Sequence, residues 1–143
     1  MTPTPSKSRA IALSGASGLL GSAMAPALAA AGWQVRPLVR RAPGPGEIRW
    51  DPAASTIDTS ALAGVSAAVH LAGESIADGR WTPARKARIR SSRILGTRLL
   101  SESLARLPVR PDVLVSASAV GIYVDRGDEL LDENSPLGTD FLA

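Results

Sequence analysis

Short apolar runs alternate along the chain with longer stretches in which apolar residues recur every three to four positions, the pattern of a parallel sheet covered by helices. RAIALS, residues 9–14, predicts a buried first strand. Residues 17–31 predict a helix stopped by Gly32, a residue suited to a left-handed C-terminal position. WQVRPLVR, residues 33–40, predicts a second strand, in which Pro37 argues for an edge or a bulge. EIRW (47–50), AAVHLAG (67–73) and PDVLVSASAV (111–120) predict the third, fourth and fifth strands. Between the last two lies a long helix to about Ala105, with Thr82 as N-cap and Pro83 at its first position. Residues 1–8, rich in Pro, Thr and Ser, are expected to form a disordered tail, and residues 9–143 a single domain.

Composition narrows the classes. At 143 residues and 45% hydrophobic content, the chain suits one globular domain or part of one. No cysteine is present, so disulfides and thiolate metal sites are excluded, and the single histidine, His70, argues against a zinc site. A cytoplasmic protein is expected. Neither a secretory leader nor an apolar run long enough to span a membrane is legible.

The stretch GASGLLG, residues 15–21, places three glycines between the first strand and the first helix. In that context Gly15 suits a tight turn, Gly18 a close approach of backbone to a pyrophosphate, and Gly21 close packing of helix on sheet. Ser17, Leu19 and Leu20 complete the candidate phosphate loop; the alternative is a tight strand–helix connection with no ligand. About twenty residues on, where an NAD site carries an acid for the ribose hydroxyls, this chain has Arg40 and Arg41. Two guanidinium groups suit a 2′-phosphate, which favours NADP over NAD; a solvated basic turn is the alternative.

Together GASGLLG, VHLAGESI, RWTPARKARIRSSRILGT, VSASAVGIY and DENSPLGTDFLA resemble the epimerase-like, atypical branch of the extended short-chain dehydrogenase/reductases, a sugar-nucleotide epimerase family of unknown substrate. The resemblance runs from about Arg9 to the last residue. It implies a Rossmann-type doubly wound parallel sheet, NADP(H) binding and a chain about twice as long, so the last strands and a small substrate domain are expected to be missing and DFLA to fall inside an amphipathic helix. It also implies a cofactor role for Leu71, Ala72, Gly73 and Glu74, which match the loop passing the ribose and nicotinamide. Asp51 matches a turn near the adenine, with a plain turn-former as the alternative.

Active members of the wider superfamily use Asn, Ser, Tyr and Lys, the last two in a YxxxK pair. Ser118 matches the serine, Arg93 stands where the NVxGT motif carries Asn, Phe141 falls at the tyrosine, and the lysine lies beyond Ala143. Tyr123 is a candidate replacement proton donor, or else a tyrosine packed with its hydroxyl at the rim. His70 reads as a hydrogen-bonded strand-end histidine in preference to an acid or base.

Seven basic residues lie between Arg80 and Arg98. Apolar residues keep a helical face there, and with three Trp, one Tyr and one Phe the chain offers little for base stacking. Nucleic acid is therefore not expected as a partner. A solvated helix face is the default, with Arg93 lent to an anionic substrate as the sharper reading. The expected partners are a nucleotide cofactor and an unknown small molecule, with neither membrane nor metal, and a homodimer as a candidate assembly. Two functions follow: an NADP(H)-dependent oxidoreductase or epimerase, or a nucleotide-binding or redox-sensing module without catalysis.

Overall fold

The computed structural model describes residues 9–141 and 143, so the expectation for the tail at 1–8 lies outside the described residues. Six strands form one sheet in the order β4-β3-β2-β1-β5-β6. They are β1 (Ala10–Ser14), β2 (Gln34–Val39), β3 (Ile48–Asp51), β4 (Thr56–Ile57), β5 (Ala67–His70) and β6 (Val113–Ser116). All neighbours run parallel except β4, which is antiparallel to β3. Omitting β4, this is the doubly wound order that the five apolar runs predict, and the fold is of Rossmann type.

Strand β1 is central, pairing with β2 on one side and β5 on the other, and all five of its residues are buried. Its pleat divides the core. Ile11 and Leu13 face one side with Ala67 and Val69, packed against Met24, Ala25 and Leu28 of α1 (Leu19–Ala30). Ala10 and Ala12 face the other with Ala68, against Leu100 and Leu104 of α3 (Pro83–Ala105) and Leu62 of α2 (Thr59–Leu62). A strand buried on both faces must be apolar at every position, which is why β1 reads as a continuous run.

Gly32 ends α1 as expected. At φ +83° its N–H bonds Ala29 O at 3.0 Å, and the N–H of Trp33 bonds Leu28 O at 3.0 Å, closing two of the carbonyls of the last turn. Pro37 is not on an edge strand, but it sits where β2 has one neighbour: β3 joins only from Leu38 onward, so the missing N–H breaks no ladder bond.

Three expectations need correction. Strand β4 and helix α2 are absent from the periodicity because two and four residues carry no measurable period; only Asp58, whose Oδ1 caps α2 at Ala61 N (3.0 Å), signals them. The fifth predicted strand is shorter than 111–120: after Ser116 only Ala117 N still reaches His70 O (3.0 Å), and a 3₁₀ turn, Val120–Tyr123, follows. Residues 139–141 are not helical; the Phe141 ring instead meets Trp81 edge-on at 5.7 Å, with the Lys86 ammonium 5.2 Å from its centre.

Candidate functional site

Strands β1, β2, β3 and β5 end along one edge of the sheet, and a cleft of about 720 Å³ opens there. It brings together Gly15, Ser17, Gly18, Arg40, Arg41, Asp51, Leu71, Ala72, Gly73 and Glu74. The three glycines prove to be glycine for different reasons. Gly15 has φ +71°, and a Cβ there would stand 2.8 Å from the Leu71 carbonyl carbon. Gly21 is the buried residue in the first turn of α1, where a Cβ would collide with Gly15 O. Gly18 has ordinary extended backbone, and a Cβ on it would meet only Gly15 O, at 3.3 Å. That contact is tight but far looser than those at Gly15 and Gly21, and Gly18 otherwise faces the cleft.

Gly18 is also the N-cap of α1, with no side chain bonded to the first-turn N–H groups. Those amides and the positive end of the helix dipole are the complement of an anion. Leu19 and Leu20 do not line the cleft. They are 89% and 62% exposed at the open start of α1, beside the cleft lining and not part of it. Gly21 acts through packing.

The two arginines have separate partners. Arg41 makes a two-pronged ion pair with Glu47 (2.6 and 2.5 Å), and Gly44 N–H also donates to that carboxylate at 2.7 Å. The Arg41 hydrogen bond holds Glu47 below the usual carboxylate range, and Glu47 in turn raises Arg41. Arg40 has no hydrogen-bond or ion-pair partner among the described residues. Asp51 is a turn-former, its Oδ1 accepting from Ala53 N (3.1 Å) and Ala54 N (3.3 Å), and it lines the cleft as well.

Beneath the glycine turn, Ser14 links β1 to β5. Its Oγ accepts N–H from Leu71 (3.1 Å) and Ala72 (3.3 Å) and lies 2.6 Å from His70 Nδ1. With both lone pairs taken, the hydroxyl proton goes to Nδ1, which makes His70 neutral with its proton on Nε2. Burial pushes His70 below its ordinary pKa, in agreement. His70 is thus the hydrogen-bonded strand-end histidine that its position suggests.

Arg93 does not line the cleft. Its Nη1 donates to Glu74 O (3.1 Å) and Ile89 O (3.2 Å), and its guanidinium lies on Gly73, where a Cβ would be 3.3 Å from Cζ. The basic stretch is correspondingly more than a solvated face: Arg85 Nη2 donates to Ser75 O (2.7 Å) and Arg88 approaches Glu74 Oε1 at 3.6 Å. Helix α3 uses its cations to hold the loop that precedes it. Ser118 lies exposed just past the end of β6, on the same edge of the sheet as the glycine turn, and Tyr123 is half-buried at the end of the 3₁₀ turn. The structure brings neither into the cleft.

Sequence reasoning missed Glu47, Trp50 and Ser92 in the lining. Glu47 carried a signal, being an acid across a Pro/Gly loop from two arginines; Ser92 carried none. Among the described residues there is no cluster of His, Asp or Glu suited to a metal, and no helix is long and apolar enough to cross a membrane.

A parallel sheet with this strand order, a glycine turn on its first strand and a cleft at its C-terminal edge defines the dinucleotide-binding class of α/β folds. The chain belongs to the NAD dependent epimerase/dehydratase family, whose profile matches residues 11–140. It is 45% identical over 134 residues to an epimerase family protein of Mycobacterium bovis, across 93% of this chain and 44% of that protein. Among solved structures it is similar to the human epimerase family protein SDR39U1 (isoform 2) with NADPH, at 32% identity and TM-score 0.82, over 93% of this chain and 44% of that one. It is also similar to a nucleoside-diphosphate sugar epimerase from Corynebacterium glutamicum, at 40% identity and TM-score 0.77, over 93% of this chain and 27% of that one. The chain therefore spans less than half the length of these relatives.

Proposed function

We propose that residues 9–143 act as one NADP(H)-binding unit of a reductase or epimerase whose substrate is a nucleoside-diphosphate sugar or a similar anionic molecule. The observation that carries the cofactor reading is Gly18: a glycine with ordinary extended backbone, whose Cβ would meet one carbonyl oxygen only, at an uncapped helix start facing open cleft. The backbone N–H groups after Gly18 hold the pyrophosphate, and Arg40 supplies an unpaired cation for the 2′-phosphate. Leu71 to Glu74 flank the remainder. The human relative solved with NADPH supports the same choice of cofactor. When bound, the nicotinamide supplies or accepts a hydride. Ser118 and Tyr123, beyond β6, are the groups of this chain available to bind a substrate hydroxyl or exchange its proton. A cysteine-free chain suits a reducing compartment, and the cytoplasm is the location we propose.

A second reading is favoured by two observations. Arg93, at the position of the family's Asn, is occupied by backbone carbonyls, and Phe141 stands at the tyrosine and has no hydroxyl. On this reading the protein binds the nucleotide without turnover. Fluorescence titration separates cofactors: NADPH is expected to bind at least about tenfold tighter than NADH, since a charge-assisted bond contributes roughly 1.5–3 kcal/mol. Equal affinities would remove the NADP assignment. Turnover of bound cofactor against a panel of nucleoside-diphosphate sugars then separates enzyme from module.

A further inference from the structure

We infer that Ser92 and Arg93 are positioning residues, which fix the backbone of Gly73 and Glu74 as the wall against which the nicotinamide half of the dinucleotide lies. This rests on the cofactor reading above. The cleft has two ends, because the strand order puts β2 and β3 on one side of the glycine turn and β5 on the other. With the 2′-phosphate at Arg40 and the pyrophosphate at Gly18, the rest of the ligand must continue toward β5, where Gly73, Glu74 and Ser92 form the lining.

That wall is a loop, and two consecutive residues of α3 hold both backbone polar groups of one of its residues, Glu74. Ser92 Oγ accepts the N–H of Glu74 at 3.0 Å and donates to Ile89 O at 2.9 Å. Arg93 Nη1 donates to the carbonyl of Glu74 at 3.1 Å and to that of Ile89 at 3.2 Å. The loop is thereby tied to the same carbonyl of the helix through two side chains. Gly73 completes the fit, since a Cβ would press on the Arg93 guanidinium at 3.3 Å. Arg93 has Nη1 engaged with loop and helix backbone and does not itself line the cleft, so it acts on the ligand through Gly73 and Glu74.

The test uses two ligands that differ in reach: NADPH, which spans the cleft, and adenosine 2′,5′-bisphosphate, which fills only the Arg40 end. Affinities are measured by calorimetry for the parent, Arg93→Gln, Arg93→Lys and Ser92→Ala, with thermal melting as a check on the fold. Arg93→Gln is expected to weaken NADPH about tenfold, the loss of a charged hydrogen bond, and to leave the bisphosphate within about twofold. Arg93→Lys, which keeps a cationic donor, recovers part of the loss; Ser92→Ala acts in the same direction by leaving Glu74 N–H unpaired. Equal weakening of both ligands, or unchanged NADPH affinity in folded Arg93→Gln and Ser92→Ala, would overturn the inference. Should Arg93→Gln fail to fold, Arg93→Lys and Ser92→Ala decide the matter by the same split between ligands. A parent protein that binds neither ligand sinks the cofactor reading itself, a result distinct from the others.

Discussion

Two helices begin at the same edge of the sheet, each following a parallel strand, and they begin in opposite ways. Helix α3 is closed by the protein itself. Thr82 accepts the N–H of Arg85 at 3.3 Å, Pro83 removes one orphan donor, and four side chains of the helix hold the preceding loop. Helix α1 has a glycine as N-cap, no side-chain bond to that cap and open cleft beside it. The start of α1 is exposed, so water can satisfy its orphan N–H groups, and nothing of the protein stands in the way of an anion there. The contrast sets a helix start closed by side chains against one left open, and the cofactor reading proposed above gives the open one its use.

The largest test of that contrast sets two glycines of one loop against each other. Gly21→Val drives a branched side chain into the Gly15 carbonyl and is expected to destabilise by more than about 3 kcal/mol, seen as a large fall in melting temperature. Gly18→Val, three residues earlier, should leave the fold intact by circular dichroism and lower NADPH affinity by at least about a hundredfold, because the side chain occupies the cleft. Retained affinity in folded Gly18→Val would make the loop structural only. At the other end of the cleft, Arg40→Ala is expected to cut the NADPH-to-NADH preference by about tenfold. Arg41→Ala should change it less, because Arg41 is already paired with Glu47. The reverse ranking would show that the pair opens on binding.

The floor between the helices makes a pH prediction. Burial lowers His70 in the folded state, so below the ordinary value near 6.5 the unfolded chain takes up a proton that the folded chain resists. The stability due to neutral His70 is therefore complete above that value and is lost as pH falls toward the depressed pKa. Melting temperature should drop across that window in the parent and drop less in His70→Asn, which can still accept from Ser14. Equal slopes in the two proteins would assign the acid sensitivity to other groups.

How much of this was legible in the sequence follows from the length scale of each signal. Five parallel strands and the two long helices show because burial on both faces of β1 and β5 imposes continuous apolar runs, and because α1 and α3 end or begin on residues with backbone preferences, Gly32 and Thr82–Pro83. Strand β4 and helix α2 are held by one hairpin and one Asp cap, too short for any period. In the site, the glycines and arginines were legible by spacing, whereas their division of labour was not. Nothing local says that Glu47 takes Arg41 and leaves Arg40 free, or that Arg93 folds back on Gly73. Those are contacts between residues 6 and 20 positions apart, set by loop geometry that propensity does not encode.

The smallest expected effect is the most pointed check on the two helix starts. If α3 is closed for structural reasons alone, Thr82→Ala removes one cap and costs about 1 kcal/mol of stability, read as a modest fall in melting temperature. NADPH affinity should stay within about twofold, because Thr82 does not line the cleft and the loop anchors at Ser92 and Arg93 lie more than two helical turns further on. The opposite substitution works on α1. Gly18→Ser gives that helix the side-chain oxygen it lacks, a change that in an ordinary helix stabilises by a few tenths of a kcal/mol relative to Gly. Here it should do so while weakening NADPH, since the new hydroxyl bonds the amides and fills the space that the ligand needs. A stabilised Gly18→Ser protein with undiminished NADPH affinity would mean that α1 is open by accident of sequence and that the difference between the two helices carries no function.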